Sequence, residues 1–79
     1  SENVYLRRET KGRKGAGGTV ISELNLDATE MKALAKSLKK LCGVGGAIKE
    51  GKIEIQGDQR EKIKIALEAQ GMKVKLSGG

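Results

Sequence analysis

Hydrophobic positions follow two rhythms along this 79-residue chain. Val4 and Leu6 alternate with Tyr5 and Arg7, and Arg8 falls on the side of Leu6. That period of two predicts a strand. Thr19-Val20-Ile21-Ser22-Glu23-Leu24 resumes as a β-branched strand. Between them, residues 11–18 hold three positive charges and four glycines (Gly12, Gly15, Gly17, Gly18) and no apolar period. This predicts an antiparallel pair with a flexible basic loop at its tip.

The rhythm then changes. Met31, Leu34, Ala35, Leu38, Leu41 and Cys42 recur at helical spacing behind Asp27-Ala28-Thr29-Glu30, an acidic capping box, and Gly43 supplies a stop. Lys32, Lys36, Lys39 and Lys40 fall on the nearly opposite side of the same helix. Gly45–Lys49 and Lys52–Gln56 flank Glu50-Gly51 and read as a hairpin, with Gly51 in the turn. Asp58-Gln59-Arg60-Glu61 reads as a second capping box. Its helix buries Ile63, Ala66 and Leu67, stops at Gly71, and leaves Ile65 off the stripe. Met72–Leu76 alternates as a last strand, and residues 77–79 form a tail.

The order is β-β-α-β-β-α-β. Each helix has one apolar face, so both can cover the same side of one sheet. The expected class is α+β: a two-layer sandwich with a mixed five-stranded sheet and two helices on one face. The other sheet face should carry Tyr5, Arg7, Lys52, Glu54, Lys73 and Lys75 and can stay in water. Length predicts one domain over residues 1–79, with the basic loop 11–18 and the tail as its loose parts.

Composition changes this picture mainly by subtraction. The chain has no His, so there is no His base, no Ser–His or Cys–His pair and no His metal site. A single cysteine, Cys42, rules out an internal disulfide and a multi-cysteine zinc site. It is expected as a small buried hydrophobe, and an unpaired Cys fits a reducing compartment, the cytoplasm. No apolar run approaches the roughly 18 residues of a membrane span, and no signal peptide opens the chain. Ser1 stands at the start, as in a fragment or a processed chain. No enzyme, cofactor or metal is expected.

Addition comes from charge. Lys and Arg number 16 against 10 acids, a net charge of +6. That excess points to an anionic partner, most often nucleic acid. The glycine-rich loop fails as a nucleotide cradle: Gly18 stands where a P-loop needs Lys, and Val20 where a dinucleotide fingerprint needs Gly. It succeeds as a basic finger, because Arg7, Arg8, Lys11, Arg13 and Lys14 are opposed only by Glu9. Tyr5 is the only aromatic residue, which disfavours base stacking on the sheet. Phosphate and shape recognition of structured RNA fits better. The lysine stripe stays open on residues alone. It can touch RNA, or simply complement the helix dipole and solvate the surface.

Two segments together then resemble a known family. Lys11-Gly12-Arg13-Lys14-Gly15-Ala16-Gly17-Gly18-Thr19-Val20 resembles the basic hairpin loop of the eukaryotic translation initiation factor one family. Ile55-Gln56-Gly57-Asp58-Gln59-Arg60 resembles its Q-G-D-Q-R signature. Leu38–Gly43 and Gly45-Gly46 fall between them in the family's order, and Gly71–Gly79 looks most like bacterial and archaeal members of the YciH type.

The resemblance implies a small-subunit ribosome binder acting near the P site, biasing initiation toward correct start codon and initiator tRNA pairing. It implies rRNA contacts at Arg13 and Lys14 first, then Lys11, Lys36, Lys39 and Lys40. It assigns fidelity or partner binding to Gln56, Gly57, Gln59 and Arg60, while Asp58 has a sufficient role as a cap. The implied partner is the small ribosomal subunit through its rRNA. Initiator tRNA and other initiation factors are further candidates, and the protein is expected as a monomer away from membranes. The alternatives are a stress-linked translation inhibitor and a protein-interaction module centred on Gln56–Arg60.

Overall fold

The computed structural model of the chain describes residues 3–10 and 17–77. Its elements are β1 (Asn3–Glu9), β2 (Gly18–Ser22), α1 (Ala28–Cys42), β3 (Gly46–Lys49), β4 (Lys52–Gln56), α2 (Arg60–Ala69) and β5 (Lys73–Leu76). The order matches the sequence pattern. The strands form one five-stranded sheet in the order β3-β4-β2-β1-β5. All pairs are antiparallel except β1 with β5, so the sheet is mixed.

Connectivity explains the two helices. β2 and β3 both run antiparallel to β4, so they are parallel to each other and need a crossover, which α1 supplies. β4 and β5 both run parallel to β1, and α2 makes that crossover past β2 and β1. α1 therefore covers β3 and β4, while α2 covers β1 and β5. The predicted two-residue turn is type I′, with positive φ at both Glu50 (51°) and Gly51 (75°).

Register defines the core. Leu6 pairs with Ile21, which also pairs with Ile53, so all three face the helices. With Ile55, Leu38, Ile63 and Leu67 they are almost completely buried, and Met31, Leu34 and Ala35 close the α1 side. Burying side chains of this size stabilises by roughly 1.5–3 kcal/mol each before entropy is charged. The opposite face carries Tyr5, Arg7, Lys52, Glu54, Lys73 and Lys75, as expected, with Val20 buried among them beside Arg7 and Glu54. No helix among the described residues is long and apolar enough to cross a membrane.

Three expectations need correcting, those for Leu41, Cys42 and Asp58, and Ile65, left off the stripe, finds its place. Leu41 is exposed, because at 100° per residue it lies about 70° from the centre of the α1 stripe. Cys42, about 30° from that centre, packs against the core instead, yet it is half-buried, because it ends the helix. Ile65 sits opposite Ile63 and Leu67 on α2 and is exposed. Asp58 does not cap α2: the N-cap is Gln59, whose side chain makes no capping hydrogen bond. Its carboxylate is taken by Arg60, as described below.

Candidate nucleic-acid interface

The elements place one end of the sheet under most of the sequence-predicted site residues. β1 ends there at Glu9, β2 and β3 start there, and β4 ends there at Gln56. α1 finishes and α2 begins at the same end. Lys11, Arg13 and Lys14 lie outside the described residues, but Glu9 and Gly18, paired across β1 and β2, belong to this end.

α1 reaches it as a self-sufficient helix. Asp27 accepts a hydrogen bond from the Glu30 backbone N–H at 2.8 Å, and Glu30 accepts from the Asp27 N–H at 3.0 Å. This is the predicted capping box. At the other end Gly43 adopts the left-handed conformation, and its N–H reaches the Lys39 carbonyl at 2.8 Å. Lys39 and Lys40 lie in the last turn, where cations complement the dipole. Lys32, Lys36 and Lys40 are exposed and Lys39 is half-buried. None of the four forms an ion pair among the described residues.

Lys39 leans onto β3. A Cβ added at Gly46 would lie 3.3 Å from the Lys39 Cγ and 2.5 Å from the Glu54 carbonyl oxygen, so only glycine permits this approach. The neighbouring Gly45 lies under the exposed Gln56, whose Nε2 would be 3.2 Å from a Cβ there. The structure thus brings the α1 C-terminus and Gln56 together over Gly45-Gly46.

The Gln56–Arg60 segment is held on every side. Gln56 N–H donates to the Gly45 carbonyl at 3.0 Å, and Gly57 N–H donates to the Gly17 carbonyl at 3.3 Å. Gly57 sits at φ +80°, a conformation costly for any side chain-bearing residue. Thr19 donates its hydroxyl to the Gly57 carbonyl at 2.7 Å and accepts from the Gln59 N–H at 2.8 Å. Arg60 grips Asp58 with a fork, Nε to Oδ1 at 2.8 Å and Nη2 to Oδ2 at 3.0 Å. That hydrogen-bonded guanidinium holds the Asp58 carboxyl below the usual carboxylate range, with nearby Arg8 acting in the same direction.

Arg60 is therefore a neutralised partner of Asp58 rather than a free cation, which sequence reasoning did not foresee. Thr19 was also missed; its only sequence signal was a β-branched residue opening a strand. Among the described residues no cluster of His, Cys, Asp and Glu could hold a metal. At Cys42, burial pushes the thiol pKa up against the opposing field of Lys62. That favours the unreactive protonated form.

Fold and site together define a small α+β domain with two crossover helices and a basic helix end set beside a braced glycine turn. Residues 1–73 match the family model described as "Translation initiation factor SUI1". The chain is 57% identical over 76 residues to the uncharacterized protein YciH of Escherichia coli (strain K12), covering 96% of this chain and 70% of that protein. It is 53% identical over 78 residues to an uncharacterized protein of Synechocystis sp. (strain ATCC 27184 / PCC 6803 / Kazusa), covering 99% of this chain and 70% of that protein. It is 44% identical over 70 residues to the "Protein translation factor SUI1 homolog" of Ignicoccus hospitalis (strain KIN4/I / DSM 18386 / JCM 14125), covering 89% and 66%. This chain belongs to the SUI1 family of translation initiation factors, with bacterial YciH proteins and archaeal SUI1 homologues among its relatives.

Proposed function

We propose that the chain is a non-catalytic initiation factor domain of the cytoplasm that docks on the small ribosomal subunit near the P site. Phosphate contacts hold it there, and it destabilises initiation complexes with mispaired start codon and initiator tRNA. Residues 1–79 act as one such domain. The contacts are assigned to Arg13 and Lys14 first, then Lys11, Lys36, Lys39 and Lys40. Gln56, Gly57, Gln59 and Arg60 form the segment on which fidelity or partner binding depends.

One observation supports this reading most. The α1 lysines, four on one exposed helix side, are left without ion pairs among the described residues, as are Arg8, Lys52, Lys62, Lys73 and Lys75, whereas Arg7, Lys49, Arg60 and Lys64 each have a carboxylate partner. Cations without local partners are available to replace counterions on a phosphate backbone. Arg60, by contrast, is occupied by Asp58, which weakens a reading centred on it as a protein-capturing hot spot.

The test is co-sedimentation with isolated small and large ribosomal subunits across a salt series. Docking through about six phosphates gives a log–log salt slope on the order of −5. Selective, salt-sensitive binding to the small subunit is expected. Equal binding to both subunits, or salt-insensitive affinity, contradicts the reading.

A further inference from the structure

We infer that the open face of the sheet is a second RNA-docking surface: the transverse row Lys49, Lys52, Ser22, Tyr5 and Lys75 takes the sugar-phosphate backbone of an rRNA strand, on the side of the domain away from α1. This inference rests on the ribosome-binding reading above.

Strand register builds the row. Lys49 pairs with Lys52 across the β3–β4 hairpin. Ile53 pairs with Ile21, which sets the preceding Lys52 beside Ser22 on the other face of the sheet. Ser22 pairs with Tyr5, and Tyr5 pairs with Lys75. One residue from each of the five strands therefore lines up across the face opposite the helices. At about 4.8 Å per strand the row is roughly 19 Å long. A nucleic-acid strand carries a phosphate every few ångströms, so a stretch of this length meets several of them.

The chemistry along the row has one sign. Lys49, Lys52 and Lys75 are exposed ammonium groups, and the half-buried Ser22 and Tyr5 each bring a hydroxyl that can donate. No carboxylate stands in the row. On this face Glu54 and Glu9 lie in the neighbouring rows, towards the Gln56 end of the sheet. Glu9 engages Arg7 at 3.5 Å and Glu54 engages Lys49 at 3.9 Å, while Glu50 sits in the hairpin turn. Lys52, Lys75 and the adjacent Lys73 form no ion pair among the described residues. The Ser22 and Tyr5 hydroxyls form no hydrogen bond among them either.

Solvation alone does not call for this arrangement. Lys49 opposite Lys52 sets like charges directly across a hairpin, which is destabilising. Opposite charges there would keep the face just as wet and hold the hairpin better. A polyanion lying over the row offsets the repulsion. The α1 lysines are on the other side of the sheet, so one flat RNA surface reaches one set only. The domain thus sits between two stretches of rRNA. Two anchors on one rigid body reinforce each other, because engaging the first raises the effective concentration of the second.

The test is the salt slope of binding to isolated small ribosomal subunits without tRNA. Lys52→Ala and Lys75→Ala are each expected to reduce the magnitude of the slope by about one, and the pair by about two. That loss should add to the loss from Lys36→Ala/Lys39→Ala/Lys40→Ala. Lys64→Ala removes the same charge from α2, where the ammonium meets Glu68 at 3.0 Å, and should leave the slope unchanged. Tyr5→Phe is expected to weaken binding roughly threefold, the scale of one neutral hydrogen bond.

An unchanged slope in Lys52→Ala and Lys75→Ala, or an equal change in Lys64→Ala, would overturn the inference. The ribosome reading would still stand if the α1 variant kept its own loss. A loss that appears only once initiator tRNA is added would also overturn it, because tRNA and not rRNA would then lie over the row. If the unaltered chain does not select small subunits, the reading above fails and this inference fails with it.

Discussion

α1 follows Asp27-Ala28-Thr29-Glu30, and α2 follows Asp58-Gln59-Arg60-Glu61, two stretches with the same acids at the same spacing. The first closes a reciprocal box at 2.8 and 3.0 Å. In the second, Arg60 sits two residues past the aspartate and takes both carboxylate oxygens. A charge-assisted fork is stronger than a bond to a backbone amide, so the carboxylate goes mainly to the guanidinium and keeps only a long 3.5 Å contact with the Arg60 N–H. The Gln59 N–H is then served by Thr19, 40 residues upstream. One helix start is local, the other tertiary. Capping is thus a competition that a neighbouring guanidinium can win, and losing it couples α2 to β2.

Thr19→Val removes a hydroxyl from two buried backbone partners and should cost about 1–3 kcal/mol. Thermal unfolding reads this as a fall of roughly 4–8 °C for each kcal/mol in a chain of this size. Thr19→Ser should recover most of it. A Thr19→Val protein as stable as the parent would mean that the α2 start does not depend on β2.

Next, Asp27→Ala should cost about 1 kcal/mol in urea unfolding, the usual worth of an N-cap. Asp58→Ala should cost less, because Thr19 still accepts the Gln59 N–H. Equal costs would show Asp58 acting as a cap after all.

A smaller effect lies in the acid limb. Arg60 holds the folded-state pKa of Asp58 below its unfolded value. The stabilisation from this pair is therefore complete above the ordinary carboxylate pKa of about 4, and it is lost as pH falls below that value toward the lowered one. Asp58→Asn should flatten that part of the stability profile by lowering stability at neutral pH while leaving the most acidic end nearly unchanged. An unaltered acid limb would contradict the fork.

Smallest is the chemistry at the far end of α1. Burial raises the Cys42 thiol pKa and Lys62 opposes it, so alkylation near neutral pH should be slower than for free cysteine. Lys62→Ala should slow it slightly further. A faster reaction would place Cys42 in a more open setting.

These contrasts also mark what was legible in the sequence. The element order, the α1 capping box, the Gly43 stop and the hairpin turn were readable because each depends on residues within a few positions of one another. The helix periodicity was readable in outline, and angular position alone sets Cys42 nearer the stripe centre than Leu41, but it does not tell that the helix end leaves Cys42 only half-buried. Asp58 was misassigned because a motif states what a carboxylate can do, not what competes for it. Thr19 was invisible for a deeper reason: its partners are 38 and 40 residues away, and only the β2–β4 pairing brings them together. The lysine face of α1 was visible as a stripe, but its lack of carboxylate partners among the described residues emerged only from the fold.

The central claim is that α1 lysines, and not Arg60, carry phosphate contacts with the small ribosomal subunit. The direct measurement is the salt slope of small-subunit binding for Lys36→Ala/Lys39→Ala/Lys40→Ala beside Arg60→Ala. Three lost phosphate contacts should reduce the magnitude of the slope by about three, while Arg60→Ala should leave it unchanged. An unchanged slope in the triple lysine variant, or a reduced slope in Arg60→Ala alone, would contradict the account.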